Sequence, residues 1–554
     1  MTSAVENSQH SAQPNPEVVI FHPSQGDAGR IVAFIDIGTN SLRLLLVRIN
    51  PNQSYTILTD QKEMVRLGEG EFADQYLRNE AMERGVQVAK QFAAMARAYH
   101  AESISAVATS ATREAKNKEE FIRRLEREAG LDVRTVSGRE EARLIYLGVS
   151  SGVHLEDQPA MFIDIGGGST EVIVGDQHQY AYLDSLKLGA IRLTTLYFLP
   201  SESGSVPPER YALLQQYVRN TAIRTVQNVQ QHPFDLAIGS SGTIENLADI
   251  AIQLFFKRRR IRDDVLTLEQ LDEVVKMLCA LSLDERRRVP GINPARADII
   301  IAGAAILHTL MQDLDVKEIQ ISDRGLRDGL LIDYLGHSEH ADLVRGIPVR
   351  ERSVLQLGRA CGFDELHARR VAAMALELFD SAREAGLHHL GDRARELLEY
   401  SALLHDVGMF LAYSNHQAHT YYLIRNADLL GFDQREIAII ATVGYFHRHK
   451  YPKKKHPQYA ALDRRDRKTV RALAILLRIA ESLDRSHTGV VQQARFVRKN
   501  KNRVTLEIYG DENYQLELWG VLNQRRVFEK AFKCKLQVAT CQGQETAVFE
   551  EVPS

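Results

Sequence analysis

Cysteine is scarce. The chain has four in 554 residues, at Cys279, Cys361, Cys534 and Cys541, with no short spacing of the kind that clasps a metal. That excludes a disulfide-stapled secreted scaffold and a cysteine-ligated zinc module, and it fits free thiols in a reducing compartment. Long apolar runs are also missing. None approaches the ~18 residues that a membrane span needs, and the longest candidate, Ile299–Leu310, is interrupted by Gly303 and His308. Charge of one sign is lacking too: the formal net charge is −3. The molecule as a whole is therefore no generic polyanion binder, no nucleic-acid partner is expected, and any anion site must come from local clustering. Residues Met1–Asp27 lack a cationic start followed by an apolar block. They read as a disordered tail rather than a signal peptide, and the expected location is the cytoplasm.

What is present is ordinary globular composition, 44% hydrophobic and 25% charged, in a length that suggests three to five domains as a soft prior. Apolar runs at Ile31–Ile35 and Leu42–Ile49 flank a tight turn, and Val65–Leu67 adds a short piece. Asn79–Tyr99 has helical spacing. Ile104–Ala108 reads as a buried strand, Thr109–Arg113 as a polar loop, the stretch to Glu128 as a charged helix, and Val133–Val136 as a strand before a helix opened by Gly138. The pattern then restarts, with strands at Met161–Ile165, Val172–Val174, Leu236–Ile238 and Glu318–Ile321. Strands alternating with helices imply α/β domains, and the restart implies a duplication. From about Gly346 helical periodicity takes over as far as Arg478–Leu483. Short strands return at Val504–Ile508, Gln515–Trp519 and Leu536–Ala539, the first two joined by a turn at Gly510–Asn513. The expected division is a tail over 1–29, α/β domains over 30–153 and 154–340, an all-α domain over 341–489, and a small α+β domain over 490–554.

The chemistry centres on a repeated turn. Asp36-Ile37-Gly38-Thr39-Asn40-Ser41 and Asp164-Ile165-Gly166-Gly167-Gly168-Ser169 share Asp, Ile, Gly and Ser at the same offsets. An Asp at the end of an apolar strand can hold a hard cation, directly or through water. Glycines let the backbone approach a phosphate and turn N–H groups toward it. One such turn is commonplace; two, each between apolar strands, point to facing halves of a phosphate-and-metal cleft. Arg43 occupies in the first copy the position of Glu171 in the second.

These segments, with Thr109–Ala115, Ser137–Arg143, Gly239–Thr243, Pro290–Asp298 and Ser322–Gly329, resemble the exopolyphosphatase/guanosine pentaphosphate phosphohydrolase (Ppx/GppA) family from about Ile31 to Leu335. The resemblance implies an α/β fold with a duplicated actin-like (ribonuclease H-like) two-domain core. It also implies removal of terminal phosphate from inorganic polyphosphate, hydrolysis of pppGpp to ppGpp, or both, with Mg2+ or another divalent cation, and a homodimer.

On that resemblance Asp36, Asp164 and Glu171 hold the metal or its waters, and Glu141 is the general base in preference to Glu140. Hydrolysis of a phosphoanhydride is mainly positioning and charge neutralisation. Arg113, with its planar fork, suits phosphate oxygens. Asn40, Ser41, Gly166, Gly167, Gly168, Ser169 and Thr170 supply donors from the turns. Gly239, Ser240, Ser241, Gly242 and Thr243 form a third small-residue loop that holds phosphate or merely turns the chain. A long polyanion also needs a basic track; the best candidate is the run around Arg448, Lys450, Lys453, Lys454 and Lys455, with His447, His449 and His456 interleaved.

The helical part contains Leu404-His405-Asp406-Val407-Gly408, which resembles the core of HD-type phosphohydrolase domains. His367, His405, Asp406, His419, His447 and Asp484, with His416 nearby, form a candidate second site for one or two transition metals; the alternative is a structural or polymer-guiding role. Competing readings are a kinase or ATPase of the actin-like superfamily, a polyphosphate or (p)ppGpp sensor without turnover, and an enzyme whose chemistry lies in the helical domain. The sensor reading expects loss of Glu141 or of a turn Asp, and neither is lost.

Overall fold

The computed structural model describes residues 29–52, 54–155, 158–262, 264–337, 347–448, 451–500, 502–510, 514–542 and 545–549. Residues 1–28 of the expected tail, the turn residues Asp511–Asn513, and His449 and Lys450 of the basic run lie outside the described residues. No helix among the described residues is long and apolar enough to cross a membrane.

Two sheets repeat one plan. The first consists of β1 (Arg30–Ile37), β2 (Ser41–Asn50), β3 (Ser54–Met64), β4 (Ser103–Ala108) and β5 (Val133–Thr135), in the order β3-β2-β1-β4-β5. β1, β2 and β3 form an antiparallel meander, and β4 and β5 continue parallel to β1. The second contains β6 (Ala160–Ile165), β7 (Thr170–Gly175), β8 (Tyr180–Leu186), β9 (Leu236–Ser240), β10 (Val265–Thr267) and β11 (Glu318–Ile321), in the order β10-β11-β9-β6-β7-β8. Its β8-β7-β6-β9-β11 portion reproduces the first sheet in order and direction. This is the duplicated actin-like core. The strands β6 and β7 are buried at every position, as expected for a sheet covered on both faces.

Two helices join the halves. Helix Gly138–Ser150 packs Leu144 against Phe34, Val47 and Val107 of the first sheet, and Ile145, Tyr146 and Val149 against Phe162 and Ile173 of the second. Helix Leu326–His337 follows β11 yet returns to the first sheet, burying Leu330, Leu331 and Leu335 beside Phe34. At two glycines the helices approach backbone to backbone. A Cβ on Gly329 would collide with the Leu144 carbonyl oxygen, and one on Gly148 with that of Gly325. Glu141 is thus carried by a helix wedged between the two sheets.

Beyond residue 346 the chain is helical, from Val349–Ala360 to Arg464–Leu483. A four-stranded sheet follows: β12 (Val491–Asn500), β13 (Arg503–Gly510), β14 (Lys535–Gln542) and β15 (Glu545–Phe549). Its inward residues Phe496, Leu506 and Val538 share one core with Val371, Leu378 and Leu476 of the helices.

The structure corrects four local readings. Gln515–Trp519 opens a helix, Gln515–Phe532, rather than a strand. Its first residues alternate in polarity, but Leu518, Val521 and Leu522 are the buried ones, with helical spacing, while Leu516 and Trp519 are exposed. Thr109–Arg113 contains a short helix, Ser110–Glu114. Gly239–Thr243 is no loop: Gly239 and Ser240 end β9, and Ser241 begins helix Ser241–Phe256 directly. Val65–Leu67 lies just past the end of β3, a polar strand whose pattern carries no clear alternation.

Candidate active site

Both turns close identically. Gly38 donates its N–H to the Ser41 carbonyl at 3.1 Å, and Gly166 donates to that of Ser169 at 3.0 Å. They meet tip to tip: a Cβ on Gly167 would lie 3.0 Å from Thr39 Cβ, and one on Gly168 would lie 3.0 Å from Thr39 Oγ1. Arg192, which the sequence reading did not single out, fixes the second tip. Its Nε donates to the Gly168 carbonyl at 2.6 Å, and its Nη2 pairs with Glu114 at 2.7 Å.

The cleft between the turns is lined by Asp36, Asn40, Ser41, Glu141, Asp164, Gly166, Gly167, Gly168 and Ser169, together with Ser241 and Thr243. Thr170 sits behind it, donating to the Leu188 carbonyl at 2.7 Å. Ser240 does not face the cleft as a phosphate donor; its hydroxyl donates to Asp164 Oδ2 at 2.6 Å. Gly239 lies within β9. Gly242 is pressed against the Arg296 guanidinium. Ser241 and Thr243 open a 16-residue helix, whose positive N-terminal end faces the cleft.

Strand register produces an asymmetry. Arg43 stands directly opposite Asp36, and Glu171 stands directly opposite Asp164. Lys62 extends the first row and Ser185 the second. Opposite residues share a sheet face, so the first half presents Asp-Arg-Lys and the second Asp-Glu-Ser. Ser185 donates to Glu171 Oε1 at 2.8 Å. Arg113 does not line the cleft. Its Nη1 pairs with Glu141 Oε2 at 2.7 Å and donates to the Val136 carbonyl at 3.1 Å.

Burial sets the electrostatics. It pushes the Asp36 carboxyl up to about 6, against the opposing pull of Arg43 and Arg327. It raises Glu141 to about 7, with Arg113 pulling the other way. Asp164 is raised by burial against the Ser240 hydrogen bond. Glu171 is raised well above the usual range by burial and then by its acidic neighbours Glu141 and Asp164. Four acids thus crowd one site, and Asp36 Oδ1 is buried with no hydrogen-bond partner. Facing them are Arg43, Arg296, Arg324 and Arg327. Burial lowers the Arg296 guanidinium to about 10. It lowers Lys62 to about 8, helped by Arg43 and Arg296. Arg296, Arg324 and Arg327 belong to the Pro290–Asp298 and Ser322–Gly329 segments, to which the sequence reading assigned no chemistry. Their signal was arginine within two of the glycine-containing segments that carry the family resemblance.

Lys453 and Lys454 are exposed in the helical part and are not among the cleft's lining residues. In that part His367, His405, Asp406 and His447 come together, as expected. Asp484 touches His367, its Oδ2 lying 2.8 Å from the His367 Nδ1. His416, rather than His419, completes the group.

Comparison with known proteins gives two family-model matches and several structural relatives. Residues 45–338 match the Ppx/GppA phosphatase family, and residues 349–525 match domain III of Ppx/GppA phosphatases. A crystal structure of an exopolyphosphatase from Cytophaga hutchinsonii is 26% identical and superposes with a TM-score of 0.52, covering 56% of this chain and 99% of its own. An exopolyphosphatase-like protein is 27% identical with a TM-score of 0.51, covering 55% of this chain and 98% of its own.

Proposed function

The chain belongs to the Ppx/GppA phosphatase family, hydrolases of phosphoanhydrides that depend on a divalent metal, and from that premise we propose that its cleft removes the terminal phosphate of inorganic polyphosphate by water attack. The observation that carries the proposal is the meeting of the buried acids Asp36, Glu141 and Asp164, with Glu171 behind them, and four arginines between two phosphate-type turns. An acid cluster alone would suit a cation, and an arginine cluster alone an anion. Both in one cleft suit a metal-assisted phosphoanhydride hydrolysis.

The acids fit a divalent cation, which we take to be Mg2+. Asp36 offers a buried oxygen without a partner, and Asp36 and Asp164 would hold the ion, with Glu171 beside them. When bound, the ion supplies the positive charge that keeps these carboxyls ionised and offsets charge on phosphate oxygens. The chain's own residues do the rest. The turn residues Asn40, Ser41, Gly167, Gly168 and Ser169, with the helix end at Ser241–Thr243, receive the terminal phosphate. Arg43, Arg296 and Arg327 bind oxygens of the following phosphates; an anion there relieves the crowding of buried cations. Glu141 accepts the proton of the attacking water. Arg113 acts through Glu141 as a positioning residue, holding its carboxylate toward the cleft and biasing it to the ionised form.

A specific observation favours pppGpp as a second substrate of the same cleft. A cavity of about 550 Å³ adjoins it, sharing Ile299 and lined by Ile191, Phe198, Leu199, Arg66 and Arg287. Its apolar walls suit a nucleoside beyond the phosphates, while Arg66 and Arg287 at its rim pair with Asp298 and Asp284. Lys453 and Lys454 are read as part of a polymer track. The cluster around Asp406 is read as a second cation site, of the transition-metal kind that imidazole suits. The resemblance to the family supports a cytoplasmic homodimer.

Orthophosphate release with Mg2+ from long polyphosphate, pppGpp and ATP tests the assignment. Release from the first two and little from ATP is expected. Turnover of ATP alone would overturn it in favour of a kinase- or ATPase-type reading.

A further inference from the structure

Arg324 stands where the cleft meets the helical part of the chain. Its side chain lines the cleft, yet its Nη2 donates to Asp428 Oδ2 of the helical part at 3.3 Å. Its Nη1 donates to the Ser151 hydroxyl at 3.4 Å and lies 3.5 Å from Asp328 Oδ1. The stem is fixed as well. It runs across Gly152, where a Cβ would lie 2.5 Å from Arg324 Cδ. Nε has no acceptor among the described residues. Nε and Nη2 form one edge of the planar fork, and such an edge matches two oxygens of one phosphate.

Asp428 is itself held in place. It lies in the 427–433 connection between helices His416–Asn426 and Gln434–Phe446, and that connection is anchored on the α/β core. The Gly431 N–H donates to the Gly152 carbonyl at 3.3 Å. Arg262 pairs with Asp428 and donates to the Leu429 carbonyl at 2.7 Å. Arg352, from helix Val349–Ala360, donates to the Ser151 carbonyl at 2.9 Å. A carboxylate on an anchored segment loses little freedom when it pairs, so it can restrain an arginine whose own rotamer freedom is large. Restraint matters here because Arg43, Arg296 and Arg327 line the same cleft. Four like charges repel, and the carboxylates of Asp328 and Asp428 offset that repulsion at Arg324.

Resting on the polyphosphate reading above, we propose that Arg324 binds a phosphate behind the terminal one and that Asp428 is its positioning residue. The helical part thereby sets the affinity of the cleft for its anion. Asp428 touches no substrate; it acts through Arg324, by keeping the guanidinium fixed before the phosphate arrives. A fixed fork binds without the ordering cost that a mobile one carries.

The test uses the full chain with Mg2+ and long-chain polyphosphate at constant salt. Arg324→Met should raise KM by about tenfold or more. Asp428→Ala should raise KM by about two- to fivefold with kcat within about twofold of the wild type, and Asp428→Glu should recover most of the loss. In the Arg324→Met background Asp428→Ala should add nothing, because the residue through which it acts is gone. Asp428 is more than half exposed, so the melting transition of Asp428→Ala should remain. A wild type that releases no phosphate overturns the polyphosphate reading and this inference with it. Release by the wild type with a KM indifferent to Arg324→Met overturns the role of Arg324 and leaves that reading standing. An Asp428→Ala effect that is absent, lowers KM, falls on kcat, or persists undiminished in Arg324→Met overturns the positioning role of Asp428.

Discussion

Replacing Arg113 by methionine removes a charge partner from the proposed base while keeping side-chain volume. The Arg113–Glu141 contact is 2.7 Å, with the two side chains 20% and 9% exposed. A hydrogen bond between charged groups in such a setting contributes about 1.5–3 kcal/mol. One pKa unit corresponds to about 1.4 kcal/mol. Losing Arg113 should therefore raise the Glu141 carboxyl by about 1–2 units above the value near 7 that burial already imposes. The assay is the pH dependence of kcat/KM for phosphate release at saturating Mg2+. A base must be ionised, so the acid limb should move to higher pH by that amount. At pH values below both limbs the variant should be slower by about 10–100-fold, and the two rates should converge above both limbs. A bound cation lowers the midpoint in both proteins and leaves the difference. A uniformly slower variant with an unmoved limb would refute the reasoning, because it would place Arg113 on substrate rather than on Glu141.

Three further outcomes are expected. Asp36, Glu141, Asp164 and Glu171 all have folded-state values above their ordinary ones, so the folded chain holds their protons more tightly than the unfolded chain. Their contribution to stability is present below the ordinary carboxyl range and is lost as pH rises through the folded-state values, about 6 for Asp36 and about 7 for Glu141. Mg2+ should therefore raise the melting temperature of chelator-treated protein more at pH 8 than at pH 5.5; equal gains would count against cation binding by these acids. Gly329→Ala should force apart the crossing helices Gly138–Ser150 and Leu326–His337, costing about 1–3 kcal/mol by denaturant titration and lowering kcat through displacement of Glu141. An unchanged midpoint would mean that the crossing relaxes freely. Lys453→Gln with Lys454→Gln should raise KM for long polyphosphate more than for short chains, and equal effects at both lengths would remove these lysines from the polymer track.

The duplicated core was legible because each half rests on local signals: an apolar strand, an Asp-x-Gly turn and a returning strand. Cross-strand register then turned the Arg43/Glu171 offset into a spatial fact, each facing its own turn aspartate. The errors arose where local pattern is short or tertiary context decides. Five alternating residues at Gln515–Trp519 could not reveal a helix whose buried face emerges only over Leu518–Phe528. Arg113 looked like a phosphate ligand because arginine chemistry allows it; only the placement of Val136 and Glu141 around its guanidinium shows what it touches. Arg192 carries no motif, and its role depends on the second turn's tip arriving beside Glu114. His416 displaced His419 because helix His416–Asn426 turns His416 toward His447, a choice of helix face that a bare spacing of histidines leaves open.

The central claim is that Glu141 activates water for phosphoanhydride hydrolysis in the cleft between the turns. Its most direct test is single-turnover phosphate release from polyphosphate with Mg2+ in Glu141→Gln, alongside equilibrium binding of the same polymer. The account predicts release slower by about 10²–10⁴-fold with binding retained. Release at the wild-type rate with intact binding would contradict it.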